Sequence, residues 1–145
     1  MLVSVVVLAY GDEPWLVESV KSALASEDVD VEVVVVDNGA RDSVDSVRNL
    51  DPRIKVVSPG RNTGFAGGVN LGVANSTGQV ICMLNSDAHV APHTIARLTT
   101  TVLERDGVAG ALILLDDEPD TINSAGNPLH ILGLSWAGMM GRPRC

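Results

Sequence analysis

Three polar residues, Asn85-Ser86-Asp87, directly follow an apolar run over Val80–Leu84. A run of this length and composition predicts a buried strand. In an open α/β sheet, ligands bind just outside the carboxyl ends of the strands. A carboxylate in that place can hold a hard divalent cation against a phosphate. The alternative interpretation is a turn whose polar side chains satisfy their own backbone.

Other polar side chains are predicted at the same edge of the sheet. Tyr10 follows the first apolar run of the chain, Asp37 follows the second, and Arg61 lies in the loop before a glycine-rich helix. Because the carboxyl ends of parallel strands share one edge, these residues are expected near Asp87. Each also has a structural interpretation: a loop hydrogen bond for Asp37, packing for Tyr10 and a solvated charge for Arg61.

The elements that position these residues alternate between apolar runs and segments of helical periodicity. This alternation predicts an α/β fold with a mostly parallel sheet flanked by helices. The predicted strands are Val3–Leu8, Val31–Val36, Ile54–Val57, Val80–Leu84, Val108–Leu115 and a short Thr121–Ser124. The predicted helices are Trp15–Ala25, Ser43–Leu50, Phe65–Asn75 and Pro92–Arg105. Asp12 is expected to cap the first helix. The last helix is expected to bury Ile95, Leu98, Val102 and Leu103.

The predicted helix Phe65–Asn75 contains three glycines, Gly67, Gly68 and Gly72. Each interior glycine destabilises a helix by about 1 kcal/mol relative to alanine. We therefore expect these glycines to serve close packing or the close approach of backbone to a ligand. The segment does not fit a dinucleotide-binding fingerprint, which belongs in the first strand-to-helix turn.

Composition narrows the classes of function. The 145 residues are 46% apolar and 19% charged, which is typical of one globular domain. A net charge of −8 and only 3% aromatic residues argue against a nucleic-acid-binding surface. An anionic ligand therefore needs backbone N–H groups, a helix N-terminus, an arginine or a metal ion to offset the charge. Cys82 and Cys145 have no metal-binding or redox spacing, which favours a reducing compartment.

Four segments together resemble the family 2 glycosyltransferases, and most of all the rhamnosyltransferase-like and galactofuranosyltransferase-like branch. They are VSVVVLAY at Val3–Tyr10, VVVVDNG at Val33–Gly39, RNTGFAGGVN at Arg61–Asn70 and LNSDAHV at Leu84–Val90. The resemblance covers essentially the whole chain in family-like order. It implies a GT-A-type (Rossmann-like) fold, a nucleotide-diphosphate-sugar donor, a divalent metal ion and inversion at the anomeric carbon.

The resemblance also implies roles for individual residues. Those expected at the nucleobase and ribose are Ala9, Tyr10, Asp37, Asn38 and Gly39. Those expected beside the donor diphosphate are Arg61, Asn62, Gly64, Phe65 and Gly68. Asn85-Ser86-Asp87 stands where the family has its Asp-x-Asp element, so Asp87 is the expected ligand of Mg²⁺ or Mn²⁺, with Asn85 and Ser86 beside the donor.

Two departures from the family pattern qualify the expected activity. Asn85 replaces the first Asp of Asp-x-Asp, which predicts weaker or looser metal dependence. The family's catalytic base is expected in an acidic motif beyond Cys145. Residues 1–145 are therefore interpreted as the nucleotide-sugar-binding part of the domain, incomplete at the C-terminus and truncated before the acceptor and base region. The expected function is sugar transfer, with rhamnose as the family's commonest label, to a saccharide or lipid-linked acceptor. A non-catalytic nucleotide-sugar-binding module and an unrelated α/β nucleotide-binding domain are the alternatives.

The expected location is cytoplasmic, peripheral at most to the inner face of the membrane. No apolar segment approaches the ~20 residues of a membrane span, and the start of the chain lacks the basic region of a signal peptide. The apolar, glycine-broken segment Leu129–Gly141 is interpreted as a partly packed tail, with binding to a membrane surface as the alternative. Membrane contact is otherwise expected only through a missing C-terminal part. An exposed apolar surface would favour self-association.

Overall fold

The structure is a computed structural model that describes residues 1–40, 42–128, 131 and 134–144. Cys145 and part of the predicted tail lie outside the described residues. The chain forms two compact units, Met1–Thr99 and Thr100–Cys145. The helices are α1 (Leu16–Leu24), α2 (Gly64–Ala74) and α3 (Thr94–Arg105). The strands are β1 (Leu2–Gly11), β2 (Asp30–Ala40), β3 (Ile54–Val57), β4 (Val80–Asn85), β5 (Ile113–Leu114) and β6 (Ile122–Ser124).

The first unit is built on a parallel sheet with the strand order β3-β2-β1-β4, which confirms the predicted fold class. Valine is the commonest residue of these strands, and its branched side chain fits a sheet that is covered on both faces. One face of β1 carries Val3, Val5, Val7 and Ala9 into the larger core, together with α1 and Ile95 of α3. The opposite face carries Val6 into a smaller core.

The glycines of α2 allow this helix to lie very close to the sheet. A Cβ atom at Gly68 would lie 2.3 Å from Cδ1 of Leu8, and one at Gly72 would lie 2.3 Å from Cγ1 of Val6. Both glycines are buried, whereas a Cβ atom at Gly67 would meet only Thr63 of the preceding loop. Of the two roles expected for these glycines, close packing therefore accounts for Gly68 and Gly72.

The predicted helix Ser43–Leu50 is wrong. A 3₁₀ helix spans Asp42–Val44, and tight turns continue to Leu50. Backbone hydrogen bonds from Val47 to Val44 and from Leu50 to Val47 have the three-residue spacing of these turns. Serine, aspartate and valine are weak helix formers, and the Ser46 hydroxyl donates to the carbonyl of Ser43 instead of leaving the backbone to an α-helix.

For the second half of the chain, one further prediction is wrong and another is wrong in part. The predicted strand Val108–Leu115 is reduced to β5, which pairs antiparallel with β6 in a separate sheet. Val108 is fully exposed, and Gly110 within the segment weakens any strand there. On α3, the burial expected for Ile95 is confirmed, Leu98 and Val102 are half-buried, and Leu103 is exposed, whereas Thr99 is buried in addition.

The N-terminus of α1 also differs from the prediction. The helix begins at Leu16 with Trp15 as its N-cap residue, and no side chain donates or accepts a capping hydrogen bond there. The expected cap by Asp12 is therefore wrong, because Asp12 precedes the true start by several residues. The carbonyl of Glu13 instead accepts a hydrogen bond from the Leu16 backbone N–H.

Several apolar side chains of the second unit are exposed, including Leu134, Trp136 and Met140 in the predicted tail. Gly138 is buried there, and its N–H donates to the carbonyl of Gly126. Across the described residues, every helix is too short or too polar to cross a bilayer.

Glu32 ties the amino ends of three strands together. Its Oε1 atom accepts hydrogen bonds from Ser4 Oγ at 2.5 Å, Thr77 N at 2.6 Å, Thr77 Oγ1 at 2.9 Å and Gly78 N at 3.2 Å. Burial by itself would raise the pKa of Glu32, but these hydrogen bonds outweigh burial and lower its pKa. The ionised carboxylate is thus the form that stabilises the junction of β1, β2 and the loop before β4.

Replacing Glu32 with alanine is expected to lower the free energy of unfolding by about 2 kcal/mol at pH 7, because the buried Ser4 hydroxyl and the N–H groups of Thr77 and Gly78 lose their charged acceptor. Since the pKa of Glu32 is lowered from 4.5, its contribution is complete above about pH 4.5 and is lost as the pH falls further. Urea unfolding of both proteins from pH 7 down to pH 3 tests this. The exposed Glu18 provides a control, Glu18→Ala, and a gap between wild type and Glu32→Ala that widens toward low pH would contradict the assignment.

Candidate functional site

A cleft of about 300 Å³ opens at the carboxyl ends of β1 and β4. The chain runs from β1 to β2 and β3 on one side of the sheet and then crosses to β4 on the other side. Ligands of open α/β sheets bind at such a point of reversal. The cleft is lined by Val6, Leu8, Tyr10, Glu13, Phe65, Val69, Met83, Leu84, Asn85, Ser86 and Asp87.

The loop Asn85–Val90 is anchored to α1 at both ends. The hydroxyl of Ser19 donates to the carbonyl of Asn85 at 2.9 Å, and the hydroxyl of Ser22 accepts from the N–H of Val90 at 3.1 Å. Ser19 is fully buried, so this anchor is shielded from water. The helix therefore determines where the loop places its polar side chains.

The backbone of this loop forms the turn that the sequence left open as an alternative. The N–H of Ala88 donates to the carbonyl of Asn85 at 3.2 Å, which closes a turn. The Asp87 carboxylate is exposed and lines the cleft, and among the described residues it takes no part in that turn. Ser86 is buried and its hydroxyl donates to Oε2 of Glu13 at 2.8 Å. The turn is thus made by backbone atoms, and the carboxylate of Asp87 faces the cleft.

Tyr10 forms an aromatic wall at the end of β1. Its side chain is 58% exposed, and its ring lies 3.6 Å from where a Cβ atom of Gly39 would stand. Gly39 has φ of +104°, a conformation that favours glycine. Ala9 points to the opposite face of the sheet and is buried in the larger core, so only its backbone faces the ligand edge.

Asp37 lies at the end of β2, outside the lining of the cleft. Its Oδ1 atom accepts hydrogen bonds from Gly39 N at 3.3 Å and Ala40 N at 3.1 Å. This is the loop hydrogen bond that the sequence left open as an alternative. It shapes the turn beneath Tyr10, and the role of Asp37 at a ribose stays a prediction.

Asn38 is buried and fixes the loop before α2. Its Nδ2 group donates to Asn62 Oδ1 at 3.1 Å and to the carbonyl of Gly64 at 3.2 Å. Its Oδ1 atom accepts from both N and Oγ1 of Thr63 at 2.9 Å. These four bonds use the full hydrogen-bonding capacity of an amide side chain. Asn62 is also committed, because its Oδ1 atom accepts from the N–H of Gly64 at 2.8 Å. Both residues thus position the start of α2.

The remaining predicted residues divide between the cleft and its surroundings. Phe65 at the start of α2 is exposed and lines the cleft. Gly64 has φ of +72°, which turns the chain into the helix. Arg61 is exposed in the preceding loop but does not line the cleft, and Gly68 faces Leu8 of β1.

The charged side chains that line the cleft are all negative. Its lining contains two carboxylates, Glu13 and Asp87, and no Lys, Arg or His. Within the described residues, no group of three or more His, Cys, Asp or Glu side chains could hold a metal ion by itself. The oxygen donors present fit Mg²⁺ or Mn²⁺ shared with a phosphate ligand, since such ions are often held by one or two carboxylates and substrate phosphates.

Comparison with known proteins identifies the family. A sequence model of glycosyl transferase family 2 matches residues 4–140. This chain belongs to that family. Among curated relatives, the succinoglycan biosynthesis protein ExoO of Rhizobium meliloti (strain 1021) is 36% identical over 131 residues, which cover 89% of this chain and 36% of that protein. The chain spans between 34% and 41% of the length of three curated relatives that it matches.

Solved structures of glycosyltransferases share the fold. The mannosyltransferase PcManGT from Pyrobaculum calidifontis, in complex with GDP-Man and Mn²⁺, superposes with a TM-score of 0.64 at 25% identity, covering 78% of this chain and 35% of that one. TarS 1-349 of S. aureus, in complex with UDP-GlcNAc, superposes with a TM-score of 0.64 at 19% identity, covering 81% of this chain and 42% of that one. The sheet and its flanking helices are therefore those of a GT-A glycosyltransferase.

Sequence reasoning missed one polar residue of this cleft. Glu13 lines the cleft and accepts hydrogen bonds from the backbone N–H of Tyr10 and from the hydroxyl of Ser86. Its position three residues after Tyr10, at the predicted ligand edge, was the signal available. The link to Ser86 joins segments far apart in the chain, so no local pattern could reveal it.

Proposed function

We propose that this chain forms the nucleotide-sugar-binding part of a glycosyltransferase, which transfers a sugar from a nucleotide-diphosphate-sugar donor to a saccharide or lipid-linked acceptor. The observation that carries the proposal is the cleft, where exposed aromatic rings and the Asp87 carboxylate meet at the reversal point of a GT-A sheet. The family membership and the name of the relative ExoO, a succinoglycan biosynthesis protein, support a role in polysaccharide biosynthesis.

The nucleoside is proposed to bind against Tyr10. The exposed ring presents a flat apolar face, and Gly39, which has no side chain, lies next to it. Aromatic stacking tolerates any base, because each nucleobase has a π-face. Asp37 stands at the end of the neighbouring strand, where its carboxylate is proposed to receive the ribose hydroxyls.

The diphosphate is proposed to bind beside Asp87 with a divalent cation. Two carboxylates and no basic side chain line the cleft, so a diphosphate meets like charges unless a cation accompanies it. Asp87, with the amide oxygen of Asn85, would hold that cation, as the Mn²⁺ and GDP-Man of PcManGT suggest by analogy. When bound, the cation offsets the negative charge that develops on the departing nucleoside diphosphate. The chain's own residues bind and orient the donor.

The finer features of the reaction follow from the resemblance alone. We propose inversion at the anomeric carbon, and rhamnose stays the sugar that the resemblance favours. Inversion requires a base that takes the proton of the acceptor hydroxyl. Of the two cleft carboxylates, Glu13 accepts two hydrogen bonds and Asp87 is assigned to the cation. We therefore propose that the base and the acceptor site belong to a part of the domain outside residues 1–145.

This shortage of a base within the described cleft also favours the second candidate function for the chain, a nucleotide-sugar-binding module that does not catalyse transfer. Both candidates require donor binding, and they differ in turnover. The first predicts transfer when the rest of the domain is supplied, and the second predicts binding without transfer under every condition.

Calorimetry tests the donor site directly. Thymidine, uridine and guanosine diphosphates are titrated into the purified chain with and without Mn²⁺. We expect one of them to bind, and to bind more tightly with Mn²⁺. Absence of binding by all three, to a chain shown by circular dichroism to be folded, would overturn the proposed donor site.

A further inference from the structure

We infer that Glu13 is the positioning residue of this site, a bridge that sets the Tyr10 wall and the Asp87 loop at a defined separation. This inference rests on the proposed function, since it concerns the geometry of the same donor site. Glu13 lies in the loop after β1, whereas Asp87 lies in the loop after β4. Since β1 and β4 are neighbouring strands, the bridge joins the two loops that follow them, at the lining of the cleft.

The two oxygens of Glu13 reach the two loops separately. Oε1 lies 3.1 Å from the backbone nitrogen of Tyr10, and Oε2 lies 2.8 Å from the hydroxyl of Ser86. Ser86 is buried and immediately precedes Asp87, so the second bond fixes the residue next to the proposed cation ligand. A half-buried carboxylate holding two donors in this way forms charge-assisted bonds, which are stronger than neutral ones.

The backbone of Glu13 is itself held by α1. Its carbonyl accepts a hydrogen bond from Leu16 at the start of the helix, at 3.2 Å. The same helix anchors the Asp87 loop through Ser19 and Ser22. Helix α1 therefore anchors both loops, and the Glu13 side chain connects the two loops directly. Even a small displacement of a group that contacts a ligand has a large cost. A bridge that fixes the two loops therefore favours binding of the donor.

A positioning role predicts that hydrogen bonding matters more than the charge of Glu13. In Glu13→Gln the amide oxygen can accept from the Tyr10 N–H, and the amide nitrogen can donate to the Ser86 hydroxyl. In Glu13→Ala both bonds are lost. Ser86→Ala removes one of the two. Glu18→Ala is the matched control, because Glu18 is an exposed carboxylate on α1 outside the cleft.

The test is calorimetric titration of the three nucleoside diphosphates with Mn²⁺ into each variant. We expect Glu13→Ala to weaken the binding about tenfold, Glu13→Gln to stay within about threefold of wild type, and Glu18→Ala to leave it unchanged. The double variant Glu13→Ala/Ser86→Ala should bind no more weakly than Glu13→Ala, because both changes remove the same hydrogen bond. Wild-type affinity in Glu13→Ala, or a loss in Glu13→Gln equal to that in Glu13→Ala, would overturn the inference.

A second readout does not depend on any ligand. Hydrogen exchange of the Tyr10 backbone amide, followed by NMR, should be at least about tenfold faster in Glu13→Ala than in wild type, and close to wild type in Glu13→Gln. Unchanged exchange in Glu13→Ala would overturn the bridge. If the wild-type chain binds no nucleoside diphosphate, the proposed function fails, and the exchange rate still decides whether Glu13 joins the loops.

Discussion

Replacing Asp87 with alanine is expected to abolish the effect of Mn²⁺ on nucleoside diphosphate binding, with a loss of about 100-fold in affinity when the metal is present. The carboxylate is exposed at the cleft and takes no part in the turn that carries it. In a cleft without basic side chains, a diphosphate depends on the cation that this carboxylate is proposed to hold. Calorimetry with and without Mn²⁺ measures the change.

Two variants make the Asp87 experiment specific. Asp87→Asn keeps the shape and one oxygen but removes the charge, so we expect an intermediate loss. Asp30→Ala removes another exposed carboxylate, at the amino end of β2 and therefore at the opposite end of the strands, and should leave binding unchanged. Thermal unfolding should be nearly the same in all three variants, since both sites are exposed. A Mn²⁺ effect that persists in Asp87→Ala would show that another residue holds the cation.

Replacing Gly78 with alanine is expected to lower the free energy of unfolding by about 3 kcal/mol. A Cβ atom at Gly78 would lie 2.6 Å from the backbone nitrogen of Ser4 and 2.8 Å from the carbonyl oxygen of Leu2. Both atoms belong to the backbone of β1, the strand between β2 and β4, which cannot rotate away as a side chain can. Urea unfolding measures the loss.

The control for Gly78 is Gly110→Ala. A Cβ atom at Gly110 would meet no other atom within 4 Å, and its backbone is not in the left-handed region. We expect its stability to stay within about 0.5 kcal/mol of wild type. A Gly78→Ala protein as stable as the Gly110→Ala protein would mean that the start of β4 can shift away from β1 at little cost.

The sheet could be predicted from the sequence because its signal is local. Runs of branched apolar residues identified β1, β2, β3 and β4. The glycines of α2 predicted either close packing or close approach to a ligand, and the structure shows close packing at Gly68 and Gly72. The same reasoning failed for Val108–Leu115, where an apolar run is present but the described residues provide no partner to bury Val108. Apolar runs predict strands reliably only where a neighbouring element covers them.

The location of the candidate site could be predicted from the sequence, but the hydrogen bonds between its residues could not. The edge of the sheet that holds Tyr10 and Asp87 followed from the strand ends. The sequence could not show that the Asn38 amide makes all its hydrogen bonds to the loop before α2. A buried amide and a ligand-binding amide cannot be distinguished in a sequence. Nor could it show the bond between Glu13 and Ser86, which depends on how β1 and β4 pair.

The placement of β1 also has a consequence for synthesis on the ribosome. Val3 pairs with Val31 on one side and with Val80 on the other. A nascent chain can join β1 to β2 early, but the second edge of β1 stays open until α2 and β4 have emerged. Open strand edges promote association between chains. Changes near the start of β4 are therefore expected to appear first as poor expression and aggregation, before any ligand-binding measurement can be made.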